Sequence, residues 1–253
     1  MRCSVVNRNI IYALLILLIF YGCAKKVQPT VSDAYLLKEG IDYYNRGKYK
    51  KSAELFEQAI RYSETPDLAA KAQHYLAESY FNDGNYAEAI SSYEQYINIY
   101  PHAEDAGTSI YRIAISHYNE ISDIDRGQRA TKEALNNFNK LKMQYPIIYK
   151  EKKVDRIIQE LREILASNEL YIANFYFRTK EYKAGEKRLL DILDAYKGTD
   201  IYVEALIGYC EYVSKEGKVE DEAINCADEL LRNRSAHPGK INALLEKIKK
   251  YNL

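Results

Sequence analysis

Tryptophan is absent from this chain of 253 residues, methionine occurs twice and proline five times. So few prolines, with 47% hydrophobic residues, exclude a disordered or collagen-like chain. Net charge is missing too, because 36 Lys and Arg balance 36 Asp and Glu. Without a basic excess the chain lacks the surface that displaces counterions, so no nucleic-acid partner is expected. Four cysteines are too few for a disulfide scaffold. Tyrosine is what the chain has in excess, 25 residues against six phenylalanines.

The N-terminus reads as a processing segment. Arg2 and Arg8 precede an unbroken apolar run from Ile10 to Phe20. That run is shorter than the roughly 20 residues a bilayer span needs, and it fits the core of a secretory signal. Tyr21-Gly22-Cys23 follows and resembles the bacterial lipoprotein box, in which a small residue precedes a Cys that receives diacylglycerol. Residues 1–22 are therefore expected to be removed and Cys23 to carry the lipid, tethering the body at its N-terminus. Phe20 stands where that box usually has Leu. Ala24, and not Asp, follows the Cys; in enterobacterial lipoproteins this resembles the choice that sorts to the outer membrane. Cys210 and Cys226 could pair in an oxidising compartment, although two buried free thiols are the commoner arrangement.

The rest of the chain repeats itself. The segment Gly47 to Ile60 aligns with Gly84 to Ile97, a period of about 37 residues that signals a repeat architecture. Each unit carries two apolar stripes at helical spacing with no competing alternation, so the expected fold is all-α. Gly47 and Gly84 fall between the stripes, where a left-handed residue ends the first helix. The pattern resembles the tetratricopeptide repeat. Unit two matches with Ala77, Tyr80, Gly84, Tyr86, Ala89, Tyr93 and Pro101, and unit one with Gly40, Tyr43, Gly47, Tyr49, Ser52 and Phe56. Units three and four follow from Ala114 and Ala173, and a degenerate fifth from Cys210, giving a superhelix of about five helix-turn-helix units. No Gly or Pro interrupts Ile147 to Ala184, which predicts one long helix on the order of 40 Å. Ile241, Leu244, Leu245 and Ile248 predict a last helix after Pro238.

No catalytic motif is present, and His74, His102, His117 and His237 lack partners at ligand spacing, so neither enzyme, metal nor cofactor is expected. A binding surface remains. First helices of such repeats line a concave groove. Repeat position 12 places Tyr44, Phe81, Tyr118 and Phe177 along it, an aromatic ladder that could clamp an extended peptide. Packing between repeats is the equally weighted alternative for these rings. Position 5 adds Leu37, His74 and Tyr111, and position 13 adds Asn45 and Asn82, whose amides could bond a peptide backbone.

Two segments carry a narrower resemblance. Tyr118 to Leu135, with Asp123, Asp125, Arg126 and Thr131, is similar to the "Y-E-Q-I-P-D-V-D-R-D-Q-…-T-K-K-A-L" segment of the BamD family of outer-membrane assembly lipoproteins. Leu165 to Tyr176 is similar to the same family's "L-A-…-E-L-Y-V-A-R-Y-Y". The resemblance implies two modules, residues 23–146 with units one to three and residues 147–253 with units four and five and the final helix. The first would receive targeting strands of unfolded outer-membrane proteins. The second would dock the periplasmic domain of a BamA-type barrel protein, with Arg188 at the family's docking position. Asp194 and Lys197 depart from the usual Arg and Pro nearby. The resemblance also implies other Bam lipoproteins as partners and an anchor on the periplasmic face of the outer membrane. Without those two segments, the lipobox and the repeats would suit equally an adaptor for a peptidoglycan enzyme or protease.

Overall fold

Gly47 and Gly84 adopt φ of 71° and 80°, and each reverses the chain between two antiparallel helices. In the computed structural model, which describes residues 32–121, 128–216 and 220–251, this reversal is the repeated unit. Helices α1 (Asp33–Asn45) and α2 (Tyr49–Tyr62) form unit one. Unit two is α3 (Pro66–Asn82) with α4 (Tyr86–Ile99), and unit three is α5 (Ala106–Asn119) with α6 (Arg129–Gln144). A short α7 (Pro146–Glu151) leads to α8 (Asp155–Arg178), which pairs with α9 (Tyr182–Ala195) as unit four. Helices α10 (Asp200–Glu216), α11 (Glu220–Arg232) and α12 (Pro238–Tyr251) close the stack. Among the described residues there is no strand, and the fold is the all-α tetratricopeptide-repeat superhelix.

Local chemistry starts the helices. Ser32 Oγ accepts the Tyr35 amide at 3.2 Å and caps α1, while Pro66 and Pro146 occupy first-turn positions where no amide hydrogen is needed. Packing holds them in pairs. A Cβ on Gly40 would stand 2.6 Å from the Phe56 ring, so α1 and α2 approach more closely than any side chain allows. Gly107 is tighter still, its virtual Cβ 2.5 Å from Ile148 and 2.7 Å from Tyr145.

The core is a chain of neighbouring clusters, as expected of a solenoid. Leu36, Phe56 and Leu76 bind α1, α2 and α3, and Ala77, Tyr93 and Ile113 continue into α5. Ile110, Phe138, Leu141, Tyr149, Val154 and Leu161 then run from unit three into α8, and Ala173 takes the same helix into the next cluster with Leu189 and Ile192. At 24 residues, α8 is about 36 Å long.

Two sequence expectations are corrected here. The single helix expected over 147–184 breaks at Lys153 (φ 52°) and ends before Lys180 (φ 67°), both taking the left-handed turn without glycine. Tyr149 and Val154 are both buried in one cluster, yet five residues apart they would point about 140° away from each other on a continuous helix. Reorienting the chain between them buries both. The second correction concerns Cys210 and Cys226, which form a disulfide and are not free thiols. Their Cα atoms lie 5.6 Å apart where α10 packs on α11, a spacing suited to a bond.

Candidate functional site

The most connected polar group among the described residues is one that repeat positions did not single out. Glu78, on α3, is 8% exposed and receives four hydrogen bonds. Arg112 of α5 donates from Nε and Nη2 at 3.0 and 3.1 Å, Tyr93 of α4 from its hydroxyl at 2.5 Å, and Tyr44 of α1 at 3.3 Å. The Asn82 amide donates to the Tyr44 hydroxyl at 2.9 Å and to the Glu78 carbonyl at 2.7 Å. The Arg112 guanidinium also lies 4.3 Å from the centre of the Phe81 ring. One carboxylate thus fixes side chains from three successive units. The missed signal was positional: in the repeat register Glu78 occupies the place held by Ile41 and Ile115 in the neighbouring units.

The electrostatics follow from this arrangement. Burial, reinforced by the Glu78 carboxylate, pushes the Tyr44 hydroxyl up to about 12. Burial raises Tyr93 further in the same direction. For Arg112, burial disfavours the charge, but Glu78 and Tyr93 outweigh it and hold the guanidinium above its ordinary value. The Arg112 guanidinium therefore stays charged where it grips Glu78.

The structure brings together Tyr44, Phe81 and Asn82 from the expected groove set and separates the others. The Tyr44 ring meets Tyr49 and Tyr75 edge-on at 5.5 and 5.6 Å, and Phe81 meets Tyr86 at 5.9 Å. Both rings are half-buried. Leu37 packs into the first cluster, and Asn45 is exposed at the end of α1. His74 sits among Tyr75, Tyr93 and Tyr96, its Nδ1 3.8 Å from Asp105 and its Nε2 buried without a partner. Tyr111 faces Phe138 at 6.3 Å under the Lys152 ammonium. Tyr118 reaches the opposite way, donating to Glu160 of α8 at 2.8 Å, and that bond raises its hydroxyl above the ordinary value. Phe177 of unit four packs against Tyr212 of α10 at 5.4 Å. The four rings are thus split between a linked pair, Tyr44 and Phe81, and two that tie neighbouring helices.

The remaining expected residues are placed as follows. Arg188 of α9 donates to Glu169 of α8 at 2.7 Å with 38% of its side chain exposed. Thr131 is buried on the first turn of α6. Cys23, Asp123, Asp125 and Arg126 lie outside the described residues.

Similarity to known proteins now bears on these positions. The sequence model of the family described as "YfiO: Outer membrane lipoprotein" matches residues 29–249. Outer membrane protein assembly factor BamD of Rickettsia prowazekii is 29% identical over 85% of this chain and 87% of its own length. The protein of the same name in Caulobacter vibrioides is 25% identical over 81% of this chain and 70% of its own. Among solved structures, a thermophilic TPR protein of Thermus thermophilus aligns at a TM-score of 0.36 and 16% identity, covering 87% of this chain and 98% of that one. That match is too loose to add to the repeat geometry described above. The family match takes in every described groove position and Arg188, and on that breadth the chain belongs to the YfiO outer-membrane lipoprotein family, the BamD family of outer membrane protein assembly factors.

Proposed function

We propose that this chain is a non-catalytic scaffold of the outer-membrane β-barrel assembly complex. Acyl chains on Cys23 hold it to the periplasmic face of the outer membrane. Its N-terminal repeats receive the targeting strands of unfolded barrel proteins, and its C-terminal repeats dock the periplasmic domain of a BamA-type barrel protein. The observation that carries this reading is the family match across residues 29–249. The half-buried Tyr44 and Phe81 rings, with the exposed Asn82 between them in the same network, support the strand-binding part, since the amide oxygen of Asn82 remains able to accept a backbone N–H beside apolar rings. Arg188 supports the docking part through its exposed fraction, with Glu169 fixing its direction.

Photo-crosslinkers placed at Tyr44 and Phe81, with Tyr118 as a third site, test the strand reading in cells. The proposal expects unfolded barrel proteins among the adducts from Tyr44 and Phe81. Adducts with a cell-wall hydrolase or a protease and none with barrel proteins would reassign the chain to an adaptor role.

A further inference from the structure

A cavity of about 550 Å³ opens between units four and five, separate from the Glu78 network. Leu170 and Phe177 of α8, Tyr182 and Leu189 of α9, and Ile207 and Tyr212 of α10 give it an apolar and aromatic lining. The Phe177, Tyr182 and Tyr212 rings stand 5.4 to 6.4 Å from one another and form one wall. Gly185 fixes that wall, because a Cβ there would meet Phe177 at 2.8 Å.

Gly208 in the lining is different. A Cβ at Gly208 would find only Leu189, at 3.7 Å, which is ordinary contact. Helix packing therefore does not require this glycine, although glycine in a helix interior costs about 1 kcal/mol against alanine. Its consequence is depth: the missing side chain leaves room above Leu189. Glu204 and Glu211, exposed on the same face of α10, flank Ile207 and Gly208, and among the described residues Lys240 of α12 is the one base in the lining.

We infer that this cavity binds an extended peptide segment carrying one bulky apolar side chain between two basic ones. The apolar side chain enters over Gly208 against the aromatic wall. The flanking bases reach Glu204 and Glu211, which are about 10 Å apart along α10, while alternate residues of an extended chain are about 7 Å apart and carry long side chains. Two carboxylates against one ammonium set the preference for a basic segment. Arg188 is not among the lining residues, and the chemistry of the site does not depend on the assembly role.

Acetyl-Lys-Phe-Lys-amide titrated into the full-length protein in detergent tests the site, with acetyl-Glu-Phe-Glu-amide and acetyl-Lys-Ala-Lys-amide as comparisons. The inference expects the first peptide to bind about tenfold or more tighter than either of the others. Gly208→Leu fills the cavity and should weaken that binding about tenfold or more while the thermal midpoint stays level or rises. Glu204→Gln with Glu211→Gln should abolish the preference for the basic over the acidic peptide, and it decides the matter if Gly208→Leu does not fold. Equal affinity for the three peptides, absence of binding by all three, or unchanged binding in both variants would overturn the inference.

Discussion

Arg112 clasps Glu78 with two parallel hydrogen bonds across the boundary between units two and three, and the hydroxyls of Tyr44 and Tyr93 donate to the same carboxylate. Geometry of this kind is rigid because the guanidinium fork matches the carboxylate plane. Removing one partner leaves the other charged and mostly buried. Glu78→Ala or Arg112→Ala should each lower unfolding free energy by about 2–4 kcal/mol. The double change Glu78→Leu with Arg112→Leu should recover part of that loss. Chemical unfolding of the three variants measures it, and a double variant less stable than either single one would contradict it.

Tyrosine hydroxyls bonded to carboxylates recur along the stack. Tyr44, Tyr80, Tyr149 and Tyr202 donate to Glu78, Glu57, Asp155 and Glu229, and burial with these acceptors pushes each up to about 12. The folded values lie above the unfolded value near 10, so the stabilisation is complete below pH 10 and is lost as pH rises through about 12. Glu229 moves the other way: the Tyr202 bond lowers its value, so its contribution is present above the unfolded carboxyl value and fades as pH falls. Thermal midpoints should stay level from pH 8 to about 10 and decline above it as these tyrosines ionise. A melt that stays level while the tyrosines ionise would contradict these contacts.

Lys180 ends α8 in the left-handed conformation that Gly47 and Gly84 supply in units one and two. Lys180→Gly should therefore stabilise the protein by about 1 kcal/mol, while Gly84→Ala should destabilise it by a similar amount. Gly107→Ala should cost about 1–3 kcal/mol, because its new methyl collides with Ile148 and Tyr145. Denaturant midpoints of the three variants check the signs.

The Cys210–Cys226 bond closes a short loop between α10 and α11, with a sequence separation of 16. Reduction, or Cys210→Ala with Cys226→Ala, should cost about 2–4 kcal/mol of stability. Melts with and without reductant read the effect, and identical midpoints would contradict it.

How far the sequence foretold this molecule depends on the range of the interactions. Gly47, Gly84, Pro66 and Pro146 act on their own helix ends, so the helix pairs of the first three units could be read directly. Buried small residues such as Gly40, Ala77 and Ala89 kept the repeat register visible. The break at Lys153 was hidden because lysine has no turn signature; the turn is imposed by burying Tyr149 and Val154 together. The Glu78–Arg112 pair joins residues on different units, and periodicity assigns each to a helix face without saying which charges meet. The aromatic ladder was half legible for the same reason: position 12 lines up the rings, but Glu78 and Glu160 decide where Tyr44 and Tyr118 point.

Depletion of this protein in its own cells, with quantitation of folded outer-membrane barrel proteins, tests the assembly role most directly. Folded barrels should fall on depletion, and a BamA-type protein should co-purify with the wild-type chain before it. Normal barrel levels after complete loss of the protein would contradict it.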